Sequence, residues 1–546
     1  MNLNFIKNRK LLIGPIIGIG AFLTYIYINP NINNLKANEY PDSYSDNATL
    51  TINMAEIPQV PWNTEKAAVH VAETFTAAVH GSLAPIHGHG SNDNSNQNTL
   101  LENFSCIEEL TCQAKLKKGI YFHNNREVNA YDIEFSLTKQ LIAQKGANYA
   151  EAILDDIVGI NNVNRENIKI VKEGNNEYPS GAVEGIVVKN KYLIEFKLKR
   201  KNDYFFYRIS DGKIPIVPIE EFEPNYVDWK KYPVGFGKYK VTDADLEKYV
   251  FHLEKADLNE KIPKKIELMF SSDKVGDIKM LLGGPNRGNE EYEHRLVFSN
   301  VYSNGGFLYN YQTELGQNEN FRKAISVALD RNKIARASFF NELTPEDQLI
   351  PNSAYFKEFR ANRPIQQQNI AEAKRLLNLV PHHLWKNKIF QVPTYWEDVV
   401  EINTLPYITE IKSQLAEIGI HTNFLNTNIN YEKFKDNDPY VLWFTGFGFA
   451  NSDPIKNFAY FRKGSYFKNE HPYDPEYEEL YQKSASDLSL DPLATQILSE
   501  YFTQKNIMTV ILNQRMSLSY DPRKVISLGS QYNGIRFAIW EIKIRN

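Results

Sequence analysis

The stretch "LKKGIYFHNNREVNAYDIEFS", residues 116–136, decides how the rest of the chain is read. Short apolar runs lie on either side of Gly119, and Asn124-Asn125 supplies a pair of residues that tolerate the left-handed backbone of a tight turn. Asn129 then stands where a helix N-cap is needed, with Asp132 in the first turn, where an acid meets the positive end of the helix dipole. The stretch predicts two short strands, a turn and a capped helix.

Outward from it, "TLTINMAEIP" (49–58) alternates as a strand does, and "GIVVKNKYLIEFKLKR" (185–200) predicts a hairpin turning at 189–191. "VGFGKYKVTD", "YVFHLEK" and "KKIELMF" add three strands between residues 234 and 270. "NFRKAISVALDRNKIA" places Phe321, Ala324, Ile325, Ala328 and Leu329 on one helical face. "IAEAKRLLNLV" does the same with Ile370, Ala373, Leu376, Leu377 and Val380, and "YITEIKSQLAEIGI" ends at Gly419, suited to the position after a helix. Strands alternating with helices predict an α/β fold rather than a sandwich or a bundle.

The 546 residues suffice for about three domains. Charged residues make up 23% and the net charge is −4, so nucleic acid is not an expected partner. Lys7, Arg9 and Lys10 precede eighteen mostly apolar residues, 11–28, a pattern for export that fits both a cleaved signal peptide and an uncleaved membrane anchor. Residues 29–48 are polar and turn-rich, as a tether is. An exported chain meets an oxidising compartment, so its two cysteines, Cys106 and Cys112, read either as a local disulfide or as small apolar fillers.

Catalytic signatures do not emerge. No HExxH, GxSxG or phosphate-binding loop is present, and the histidines form no zinc pattern; His87 and His89 sit in a glycine loop, and no cofactor or metal is expected. Adjacent acids such as Asp155-Asp156 and Glu478-Glu479 read by default as solvated surface.

In order, these segments resemble the extracytoplasmic solute-binding proteins of ABC importers, the class containing oligopeptide-, dipeptide- and nickel-binding proteins. The opening stretch is similar to the family's F-x-L-R-x-G-V-x-F-H-D-G and T-A-x-D-V-x-F-S, with Lys117 for Arg and Asn124-Asn125 for Asp-Gly. Residues 233–239 look like P-x-G-T-G-P-Y, departing at Phe236 and Lys238. Residues 321–331 resemble V-R-x-A-I…A-x-D-R, and 415–420 resemble L-x-x-I-G-I. The resemblance implies an α/β fold of the periplasmic-binding-protein type II, two lobes with an extra inserted domain. It maps domain I to 41–80, 206–300 and 513–546, domain II to 81–205, and domain III to 301–512, after a leader and tether over 1–40.

The resemblance also places "WFTGFGFANSDP", 443–454, in the ligand cleft. Peptide-binding members carry an acid three positions before its Asp-Pro pair to receive the ligand's α-ammonium group, and here that position is Ala450. Asp453 reads instead as a helix N-cap with Pro454 at the first helical position. Trp443, Thr445, Phe447 and Phe449 are the candidate wall of the site beside Ala450, with strand and loop core as the alternative for the aromatics, and Glu56 is a further candidate from the first lobe. The implied function is capture of a peptide or other small solute by lobe closure, without chemistry, for delivery to an ABC permease by a monomer outside the cytoplasm. The alternative is a membrane-anchored sensor that keeps the fold without transport.

Overall fold

The computed structural model describes residues 48–545, except 55–68, 85–97, 109, 144–153, 161, 164, 203–204, 211–213, 246, 271–275, 282–294, 339–342, 353–356, 395–401, 427–439, 449–453, 463–473, 487–491 and 530–537. In chain order, β1 (Thr49–Asn53) and α1 (Val69–Val79) precede the hairpin of β2 (Leu101–Glu108) and β3 (Thr111–Leu116). Helix α2 (Ala130–Ala143) follows, then the hairpins β4 (Lys169–Glu173) with β5 (Asn176–Ser180) and β6 (Ile186–Asn190) with β7 (Leu193–Lys197). Strands β8 (Tyr239–Asp245), β9 (Val250–Lys255), β10 (Lys265–Met269) and β11 (Ile278–Leu281) lead into the long β12 (Arg295–Tyr309).

Further along are α3 (Glu319–Val327), α4 (Arg331–Arg336), β13 (Leu343–Pro345), α5 (Ile370–Leu377), β14 (Ile389–Thr394), α6 (Pro406–Glu417), β15 (His421–Asn426) and β16 (Leu442–Thr445). Then come α7 (Lys456–Ala459), α8 (Pro475–Ser486), α9 (Leu493–Gln504) and β17 (Met508–Tyr520). One mixed sheet runs β15-β14-β16-β12-β17-β11-β1-β10-β9-β8, with β13 also paired to β17. The α/β class is as expected.

In the opening stretch the turn and the capped helix form as expected, but of the two expected strands only the end of β3 at Leu116 and an isolated bridge between Tyr121 and Glu127 are present. Asn125 takes φ 67° in the turn. The Asn129 side chain accepts from the backbone N–H of Tyr131 at 2.8 Å, and Asp132 reaches back to the N–H of Asn129 at 2.9 Å. This reciprocal cap satisfies donors that a helix start otherwise leaves open, for about 1 kcal/mol. Arg126 clamps the same Asp132 carboxylate through both terminal nitrogens, at 2.8 and 2.6 Å, tying the turn to the helix. Cys106 and Cys112 face each other across the β2–β3 ladder and are joined as a disulfide.

The segment 321–331, read from sequence as one helix, is two. Asp330 accepts from the N–H of Lys333 at 3.0 Å and caps α4, which ends α3 at Val327. His382 and His383 begin a short helical turn, His382–Trp385.

Separate apolar cores define the bodies. Leu50, Ile52, Ala78, Val79, Phe251, Ile266, Leu518 and Ile539 belong to the first, and Leu116, Ile133, Ile157 and Phe196 to the inserted one. The third body packs both faces of its sheet, with Phe307, Phe321, Ile411 and Phe444 on one side and Trp443, Phe458, Tyr481 and Phe502 on the other. Phe205, Phe206, Ile209, Ile214, Ile216 and Phe236 pack in the same apolar core as Leu116, Ile133, Ile157 and Phe196.

The chain re-enters the first body through "PVGFGKY". The N–H of Gly237 donates to the Val79 carbonyl at 2.9 Å, and a Cβ at Gly235 or Gly237 would overlap the carbonyl oxygens of Val79 or Ala78. Glycine is required because two backbones touch. Beside this contact His80 is buried, with its ring stacked on Trp229 at 5.9 Å. Burial, with His123 and Lys139 adding repulsion, pushes its imidazole down to about 3. His80 is therefore neutral in the fold, while in the unfolded chain it protonates near pH 6.5.

Stability contributed by this neutral state is complete above pH 6.5 and is lost as pH falls toward about 3, at roughly 1.4 kcal/mol per pH unit. Urea unfolding at about pH 7.5 and about pH 5 should show His80→Phe losing less stability on acidification than wild type, by about 1.5–2 kcal/mol. Identical acid sensitivity in the two proteins would refute this role for His80.

Candidate functional site

The lobes meet where β12 and β17 pass from one body to the other. Their antiparallel ladder runs from Arg295↔Tyr520 to Leu308↔Met508, with irregularities between Phe298 and Val301, Val301 and Ser303, and Gly305 and Gly306. Leu512 belongs to a third-body core and Leu518 to the first-body core, so residues 513–517 form the crossing. On its other edge β17 pairs with β13 up to Gln514 and with β11 from Ser517 onward, which leaves Arg515 in the fork between them.

The sequence-nominated segment is fastened to this crossing. Strand β16 pairs with β12 through Thr445↔Gly306 and Trp443↔Leu308, and Ser303 bridges to Gly448. Asn304 holds the segment's end: its N–H donates to the Phe447 carbonyl at 3.1 Å, its side-chain oxygen accepts from the Phe447 N–H at 3.1 Å, and its amide donates to Leu349 at 2.9 Å. A Cβ at Gly446 would overlap the Asn304 carbonyl oxygen, which explains a glycine there.

Trp443 is 1% exposed and packs with Leu308 and Phe458 beneath α8 and α9. Phe447 stacks on Tyr460 at 5.4 Å and meets Phe461 edge-on at 5.5 Å. Both aromatics thus take the strand and loop core places that the sequence left as their alternative, and Thr445 is buried beside them. Phe449, Ala450, Asp453 and Glu56 lie outside the described residues. The helix that follows begins at Lys456 with Ile455 at its N-cap, so Pro454 stands in the preceding turn and not at the first helical position.

A second polar site joins the inserted body to the third. Asp156 accepts from Asn202 at 2.6 Å and from Arg208 at 3.0 Å, while Arg200 lies 2.5 Å from both Asp155 and Asp156. Across the gap, Arg208 donates to the Tyr481 hydroxyl at 3.3 Å and Gln482 to the Lys201 carbonyl at 3.4 Å. Arg462 pairs with Glu478 at 2.7 Å, lies 3.8 Å from Asp155, and covers the Tyr481 ring at 4.4 Å.

Burial works to raise the Asp156 carboxyl, but Arg208, Arg200 and Asn202 outweigh it and hold it below the usual range. The adjacent acids read as solvated surface are corrected here: Asp156 is 1% exposed and Glu478 is engaged by Arg462. Their partners lie 16 to 52 residues away or more, so no local pattern marked them. Among the described residues no group of three or more His, Cys, Asp or Glu is arranged to hold a metal ion, and no helix is long and apolar enough to cross a membrane.

Residues 107–469 match the model of the bacterial extracellular solute-binding proteins, family 5, middle region. The oligopeptide-binding protein AppA of Bacillus subtilis (strain 168) is 23% identical, and the match covers 48% of this chain and 48% of that protein, about half the length of each. Among solved structures, the Haemophilus influenzae OppA complex with RPPGFSPFR is similar at 15% identity, covering 92% of this chain and 100% of that one, with a TM-score of 0.70. The Escherichia coli murein tripeptide binding protein MppA gives 12%, 92%, 100% and 0.71. NikA of Staphylococcus aureus in complex with Ni(L-His)2 gives 14%, 91%, 100% and 0.65.

Breaking the polar site on one side should cost more than trimming it. Arg208→Met leaves Asp156 short of a buried cation and should lower the unfolding free energy by about 3–5 kcal/mol, against about 1 kcal/mol for Tyr481→Phe. Urea titrations compare the two, and a loss for Arg208→Met no larger than for Tyr481→Phe would show that Asp156 does not depend on it.

Proposed function

The chain belongs to the bacterial extracellular solute-binding proteins of family 5, and from that premise we propose that it is the solute-binding component of an ABC importer. The observation that carries this reading is the family match over 107–469. The fold supports it: two bodies share one sheet through a two-strand crossing, an arrangement that permits closure around a solute. In this reading the protein breaks no bond; closure presents the liganded shape to a permease in the cytoplasmic membrane. It works as a monomer outside the cytoplasm, with residues 11–28 directing export and either removed or kept as an anchor.

The solute is a peptide or peptide-like molecule whose amino end is not read as a cation. Ala450 supports this, because it stands where peptide-binding relatives carry the acid for the α-ammonium group and a methyl group offers no counter-charge.

Titration calorimetry with peptides of two to five residues, each as the free amine and the N-acetyl form, tests both parts. The acetylated forms should bind at least as tightly as the free amines. Ala450→Asp should favour the free amine by about tenfold or more, the worth of one charge-assisted hydrogen bond. A wild-type preference for free amines would contradict the reading of Ala450.

A further inference from the structure

The buried arginines among the described residues all have acceptors. Arg208 has Asp156, Arg360 has Glu346, Arg322 and Arg331 have backbone carbonyls, and Arg545 has the carbonyl of Pro522. Arg515 differs. It is half-buried in the fork where β17 leaves β13 for β11, and its Nε is buried with no hydrogen-bond acceptor among the described residues. Nor does any described carboxylate form a salt bridge with its guanidinium. Two residues earlier Asn513, 1% exposed, donates its amide to Glu346 at 2.9 Å, while its side-chain oxygen is buried without a donor. Residues two apart on a strand face the same side, roughly 7 Å apart.

An unpaired Nε–H of a charged group and an unpaired acceptor thus lie two residues apart on β17, in the crossing between the lobes. Leaving either group unmet costs about 1–3 kcal/mol, more for the charged one, so the pair is held ready for something that supplies both partners. We infer that Arg515 and Asn513 form a subsite for the carboxylate end of the solute. The guanidinium receives the carboxylate through paired N–H donors, and the Asn513 oxygen accepts from the N–H adjoining it, the arrangement of an acylated amino acid or the last residue of a peptide. The inference deepens the solute-binding reading and rests on it.

The full chain, as wild type, Arg515→Gln and Arg515→Lys, is titrated with N-acetyl peptides of two to five residues, each as the free acid and as the C-terminal amide, at constant ionic strength. Wild type should bind the acids at least tenfold more tightly than the amides. Arg515→Gln should lose that preference without a lower melting temperature in the absence of peptide, and Arg515→Lys should keep part of it. Equal binding of acids and amides by wild type, or an acid preference retained by Arg515→Gln, overturns the subsite and leaves the solute-binding reading standing. Binding of neither form overturns both.

Discussion

Pairing of β12 with β17 is the constraint on which the rest of the structure depends. One end of this ladder is fixed in the third body, where Phe307, Leu308, Ile511 and Leu512 are buried, and Leu518 near the other end is fixed in the first. Both ends are packed, so relative movement of the bodies has to be absorbed between residues 298 and 303 on one strand and 513 and 517 on the other. That is where the register slips, and an irregular ladder bends at lower cost than a regular one because its hydrogen bonds are already interrupted. Rigid cores joined by a narrow deformable strip move as a hinge does. The segment 445–448 rides on the same strip through Asn304.

Legibility in the sequence followed the range of the interactions. The Asn125 turn, the Asn129 cap with its reply from Asp132, and the end of α6 before Gly419 (φ 85°) are each decided within a few residues, and each could be read locally. Periodicity placed α3, α5 and α6 but passed over the break at Asp330, because an apolar face continues through Ala328 and Leu329 while the cap that ends the helix is a single polar contact. Which core takes Phe205 to Ile216 was not legible for a different reason: it depends on tertiary packing alone. Asp156 shows the limit most sharply. Two adjacent acids look solvated until Asn202 and Arg208, 46 and 52 residues away, are seen to close over one of them.

The polar cluster between the inserted and third bodies contributes register more than strength. Removing Asp156, Arg200 and Arg208 from water opposes the attraction among them, so the assembled cluster yields little net free energy even though losing one member is costly. What it enforces is position, since Tyr481 can meet Arg208, and Arg462 can approach Asp155, in one arrangement of the bodies. A solute then shifts the balance of open and closed forms only by the difference in its affinity for them, and that difference must come from groups still unmet when the bodies meet.

Two departures in charge bear on the proposed solute. Relative to the family pattern the segment after β16 lacks an acid at Ala450, while Arg515 brings a cation that no described carboxylate balances. Each change alone would weaken a site built for a free peptide with both ends charged. Under the proposed reading the two act in the same direction: an ammonium group would gain no counter-ion from Ala450, whereas a carboxylate would supply the acceptor that Arg515 Nε lacks. A solute blocked at its amino end and free at its acid end would satisfy both, and in that reading discrimination against ordinary peptides would rest on charge and not on pocket size.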